Sequence, residues 1–107
     1  MDQRQNESLE ICRSYLELAS KVFSIKQAYL FGSYARGTPH PDSDIDLALV
    51  SSDFEEIDEM ALMRILYRMA RHVNVKIEPI PLLENEGEHT QLGTLSYEIA
   101  KEGIALL

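Results

Sequence analysis

The chain has 107 residues, 45% apolar and 26% charged, with 18 acidic side chains against 10 Lys and Arg for a formal net charge of −8. That length suits a single domain over residues 1–107 and leaves no room for a second core or a separate acceptor-binding domain. The acidity removes the electrostatic term that drives autonomous binding to a nucleic-acid backbone, so a direct nucleic-acid partner is not expected. Cys12 is the single cysteine and cannot form an internal disulfide; it reads as a small buried hydrophobe in a reducing compartment. No apolar run approaches bilayer length, and Met1–Asn6 carries no signal-peptide core, so a cytoplasmic protein is expected.

From about Gln5 to Phe23, apolar residues recur at three- and four-residue steps through Leu9, Cys12, Leu16, Ala19 and Phe23, which predicts an amphipathic helix. Ile11, Tyr15, Leu18 and Val22 widen its stripe beyond one face. A strand is expected over Gln27–Phe31. It ends in Gly32-Ser33, and a loop punctuated by Gly37, Pro39 and Pro41 leads to a second strand over Asp44–Val50. The acidic stretch after Val50 offers capping-box spacing at Ser52/Glu55 or Asp53/Glu56. It predicts a helix over Phe54–Arg71 with Phe54, Ile57, Ala61, Ile65 and Met69 inward, Arg64, Arg68 and Arg71 later along it, and Met60, Met63 and Tyr67 as core filler on its flanks.

A third strand is expected over His72–Ile80, ended by Pro79 and Pro81. A strand-helix-strand unit of that length makes strands two and three parallel neighbours with a right-handed crossover. The acidic, turn-rich stretch Leu82–Gln91 predicts a loop. Thr94–Gly103 reads as a final helix, and Ile104–Leu107 as a short strand or a packed tail. The architecture implied is α/β (α+β): a small mixed β-sheet with helices packed on one face.

Chemistry concentrates between Gly32 and Asp46. Side chains alternate across a strand, so Asp44 and Asp46 share one face, expected to be wet, while Ile45, Leu47 and Leu49 share the other. Like charges that close repel unless a cation lies between them, and a hard divalent ion such as Mg2+ takes oxygen ligands and shares them with phosphates. Gly32 lets a ligand approach the backbone, and the following turn with the Ser33 hydroxyl can hold phosphate oxygens. In the parallel arrangement Glu78 brings a third carboxylate from roughly 4.8 Å away; the alternative is an exposed glutamate at a strand end. Arg36 could reach phosphate from the first turn of a short helix, or point to solvent. Asp42 reads as a turn former, and no function is assigned to His40, His72 or His89.

Gly32-Ser33, ten intervening residues and Asp44-Ile45-Asp46 resemble the GS-x10-DxD signature of the nucleotidyltransferases related to DNA polymerase beta, and Gly-Ser-Tyr-Ala-Arg-Gly with Ser-Asp-Ile-Asp-Leu is similar to their minimal nucleotidyltransferase (MNT) branch. That family often has Asp where this chain has Glu78. The resemblance implies a polymerase-beta-like nucleotidyltransferase fold, with ATP as substrate and two Mg2+ ions on Asp44, Asp46 and Glu78. Gly32, Ser33 and Arg36 would lie on the nucleotide. Small MNT proteins are commonly antitoxins of HEPN-domain ribonuclease toxins from the neighbouring gene, which implies a hetero-oligomer and transfer of AMP to a toxin tyrosine. Two other readings stay open: a module that neutralises its partner by binding alone, and a small-molecule adenylyltransferase of the aminoglycoside type.

Overall fold

The computed structural model describes residues 3–39, 43–83 and 102–107. Along the chain lie α1 (Gln3–Ala19), β1 (Gln27–Phe31), the four-residue α2 (Ser33–Arg36), β2 (Ile45–Val50), a 3-10 turn (Ser52–Glu56), α3 (Glu59–Val73), β3 (Ile77–Leu82) and β4 (Ile104–Ala105). The strands form one mixed sheet in the order β3-β2-β1-β4. β1 runs antiparallel to β2 and β4, whereas β2 and β3 are parallel, as the intervening helix requires.

α1 and α3 cover one face of the sheet. Leu9, Cys12, Tyr15, Leu16, Ala19 and Phe23 meet Leu62, Leu66 and Met69 over Leu30, Ile45, Leu47, Leu49 and Ile77 in one buried cluster. Tyr15 ties the two helices, its hydroxyl donating to the Leu66 carbonyl at 2.9 Å. The opposite face is less wet than the Asp44/Asp46 alternation implies. Ala48, Val50 and Leu82 are buried there beside Tyr29, Phe31 and Ile80, because Leu47-Ala48-Leu49-Val50 is apolar on both sides and only its N-terminal end carries acid.

The boundaries of α1, α3 and β3 differ from the sequence reading. α1 stops at Ala19, and a turn carries Phe23 back into the core, where its ring meets Phe54 edge-on at 5.2 Å. The helix expected over Phe54–Arg71 is broken. Ile57 is extended, and Asp58 caps a new start by accepting from the Ala61 amide at 3.2 Å. The helical phase therefore does not continue from Phe54: Leu62, Leu66, Met69 and Ala70 are buried in place of Ala61 and Ile65. Met60 and Tyr67, read as core filler, are 73% and 37% exposed. β3 begins five residues later than expected, because α3 runs on to Val73, and it continues through Pro79 and Pro81. Among the described strands β3 lies at the edge, and residues two apart point their N–H positions the same way, so both prolines can turn their missing donors outward. Ile104 pairs with Leu30, confirming a short strand in the tail. The expected loop beyond Leu83 and all but the end of the Thr94–Gly103 helix lie outside the described residues, as do His40 and Asp42.

Candidate nucleotide-transfer site

The central register assembles the acids. Phe31 at the end of β1 pairs with Asp46 in β2, and Asp46 pairs with Glu78 in β3. Asp44 stands exposed just before β2, whose first residue is fixed by the Ile45 amide donating to the Lys76 carbonyl at 2.8 Å. Asp46 and Glu78 are half-buried. The three predicted acids therefore lie together on one rim of the sheet.

Their electrostatics show the strain of that proximity. Burial raises the Asp46 carboxyl above its ordinary value and the Asp44 charge adds to this, while a hydrogen bond from Glu78 and the Arg36 charge pull it back. Glu78 is also raised, first by burial and then by the charges of Asp44 and Asp46, to both of which it is hydrogen-bonded. Without a cation, the crowding of negative charge opposes full ionisation of Asp46 and Glu78. Tyr67 on α3 senses the same three carboxylates, which add to burial in raising its hydroxyl. Its place beside the acids depends on how α3 is phased, which the sequence reading set wrongly.

Gly32 is fixed by its neighbour. Its φ of 75° and ψ of −155° lie in a region only glycine occupies comfortably. A Cβ built there would overlap Asp46 Oδ2, so the turn sits directly on the carboxylate. α2 follows at once. The Arg36 amide donates to the Gly32 carbonyl at 3.1 Å and the Thr38 amide to the Ser33 carbonyl at 3.0 Å, with Gly37 closing the helix in the left-handed region at φ 76°. Ser33 is half-buried. Arg36 is exposed, 3.8 Å from Glu102, yet its charge reaches Asp46.

One residue of this assembly escaped the sequence reading. Gln5, on the first turns of α1, is buried, and its Nε2 donates to the Tyr34 carbonyl at 2.8 Å and the Ala35 carbonyl at 3.1 Å. The signal was available: Gln5 continues the Leu9, Cys12, Leu16 stripe one turn earlier, a polar side chain at a core position. A cleft of about 280 Å³ lined by Arg4, Glu7, Ser8, Tyr34, Ile45 and Lys76 lies next to it and includes none of the three acids.

The acids offer only oxygen donors, which suits Mg2+. Among the described residues no group of three or more acidic, histidine or cysteine side chains is disposed to hold a metal ion by itself. An ion at Asp44, Asp46 and Glu78 would need further oxygens, of the kind that substrate phosphates supply.

A mixed sheet that sets paired carboxylates under a glycine-serine turn is the scaffold of a nucleotidyl-transfer domain. The chain belongs to the polymerase beta nucleotidyltransferase family, whose model matches residues 14–107. It is 31% identical over 65 residues to the protein adenylyltransferase MntA of Shewanella oneidensis. That match covers 61% of this chain, and the chain spans 45% of that relative's length. Among solved structures, a Sulfolobus solfataricus protein assigned as a nucleotidyltransferase superposes with a TM-score of 0.64 at 27% identity, over 78% of this chain and 74% of that one. A toxin–antitoxin structure with AMP-PNP superposes with a TM-score of 0.65 at 22% identity, over 92% and 72% of the two chains. A mutant MntA–HpeT toxin–antitoxin structure gives 0.59 at 21%, over 96% and 72%. The last two support the fold.

Proposed function

We propose that residues 1–107 form a single minimal domain that moves AMP from ATP to a protein hydroxyl, acting in the cytoplasm as the antitoxin of a HEPN-type ribonuclease toxin with a toxin tyrosine as acceptor. The observation that carries this reading is the register Phe31–Asp46–Glu78 with Gly32 seated on Asp46. The similarity to an adenylyltransferase supports the chemistry, and the toxin–antitoxin likenesses support the partner.

Gly32 leaves room for the triphosphate to lie against the backbone, and Ser33 holds its oxygens through hydroxyl and amide. Asp44, Asp46 and Glu78 would hold Mg2+, as one or two ions, which when bound neutralises charge on departing pyrophosphate and acidifies the acceptor hydroxyl. The acceptor oxygen attacks the α-phosphorus in line, the bond to pyrophosphate breaks, and the hydroxyl proton passes to the ionised carboxylate of Glu78. Arg36 adds positive charge beside the phosphates. Catalysis is thus mainly positioning and charge.

The test uses α-labelled ATP, Mg2+ and the product of the adjacent gene, comparing wild type with Asp44→Ala/Asp46→Ala. Label on the partner that disappears in the double variant is the expected result. A partner that stays unlabelled yet inhibited would replace transfer with neutralisation by binding.

A further inference from the structure

We propose that Gln5 is a positioning residue: its buried amide anchors α2 from below and so sets the Gly32–Ser33 turn. Only the nucleotide-binding part of this inference rests on the function proposed above. α2 has four residues, too few to stand alone, since helix nucleation is unfavourable and the last carbonyls of any helix lack internal donors. The Tyr34 carbonyl takes only the Gly37 amide, at 3.3 Å, and among the described residues the Ala35 carbonyl takes no backbone amide; both are met by Gln5 Nε2, at 2.8 and 3.1 Å, from about 30 residues earlier in the chain.

Gln5 is itself held. Ser8 Oγ donates to the Gln5 carbonyl at 2.7 Å, and the side chain is only 8% exposed. Its neighbour Arg4 adds an exposed contact to the far end of the same loop, Nη1 donating to the Pro39 carbonyl at 3.3 Å. The first turns of α1 thus hold the loop at Tyr34–Ala35 and at Pro39. This anchor lies before residue 14, outside the segment matched to the family. A buried donor pair spent on two carbonyls of a four-residue helix is a costly way to fill space, because an apolar side chain would fill it without needing partners.

Three full-length variants test this. Gln5→Met keeps the volume and removes the donors; Gln5→Glu keeps the shape and sets an anion against two carbonyls; Ser8→Ala removes the support of Gln5. Amide hydrogen exchange of Gln5→Met should show protection lost about tenfold at Arg36, Gly37 and Thr38, the factor expected for one to two net hydrogen bonds, with the amides of Leu47 and Leu49 unchanged. Ser8→Ala should lose less at the same three amides. Gln5→Glu should recover part of its protection in acid, where a protonated carboxyl donates again. In the same proteins, ATP–Mg2+ should bind several-fold more weakly while kcat at saturating ATP stays near wild type. Unchanged protection at 36–38, or a loss spread equally over the strands, overturns the proposal. If the wild type binds no ATP, the functional reading fails while the exchange pattern still decides the role of Gln5.

Discussion

Replacing Gly32 by alanine tests the contact on which the site is built. The residue sits at φ 75° and ψ −155°, and a non-glycine residue held in such a region costs about 1–3 kcal/mol. The new Cβ would also overlap Asp46 Oδ2 and lie 3.2 Å from Asp46 Cγ, so relief must come from displacing the carboxylate of a residue whose strand is paired on both sides, with β1 and β3. A loss of about 2–3 kcal/mol is expected, or roughly 10 °C in Tm for a domain this size. Gly37→Ala is the control. Gly37 is also left-handed, at φ 76°, but a Cβ there meets nothing within 4 Å, so its cost is the backbone penalty alone, about 1 kcal/mol. Urea unfolding measures both, and calorimetric titration with Mg2+ and ATP reports whether Asp46 has moved. Gly32→Ala should lose stability and binding together, whereas Gly37→Ala should lose about a third as much stability and keep Asp46 in place. Equal losses in the two variants, or a Gly32→Ala protein as stable as wild type, would refute the close packing of turn on carboxylate.

The acid cluster makes an opposite prediction, because Asp46 and Glu78 are raised in the folded state. Such groups stabilise the fold in acid, below their unfolded values, and lose that contribution as the pH rises through their folded values. Glu78→Gln should therefore stabilise the fold at neutral pH without metal, by the order of 1 kcal/mol expected for close charges at a wet surface, and raise Tm accordingly. Its advantage should shrink as the medium is acidified, and the stabilisation that Mg2+ gives wild type should weaken; an unchanged Tm–pH profile would contradict this. Cys12 is fully buried and burial pushes its thiol up to about 12, against a small opposing pull from Arg13. It should resist thiol reagents in the native protein and react once urea unfolds it; rapid native labelling followed by absorbance would contradict the packing of α1.

Much of the site could be read from the sequence because its parts are local. Gly32, Ser33, Asp44 and Asp46 lie within one strand-turn-strand unit, and alternation along β2 needs no tertiary knowledge to put both acids on one side. Glu78 was reachable by one further step, since a helical crossover makes strands parallel, although its pairing with Asp46 depends on where β3 starts and not on where its valines cluster. Pro79 and Pro81 misled because a proline ends a strand only where its missing donor would face a partner, and edge position is decided by the whole sheet. The phase of α3 misled because the Asp58 cap restarts the helix after an extended Ile57, so Tyr67 reaches the acids and Leu62 and Leu66 reach the core.

What the amino-acid order determined alone was the set of chemical groups and their local spacing: a flexible glycine, a hydroxyl, two alternating carboxylates and the apolar stripes that bury α1 and β2. What only the tertiary structure decided was which distant groups meet them. Gln5 under α2, Glu78 beside Asp46 and Arg36 near Glu102 each join residues far apart in the chain. Such pairings follow from sheet order and helix phase, which the packing of the whole core sets.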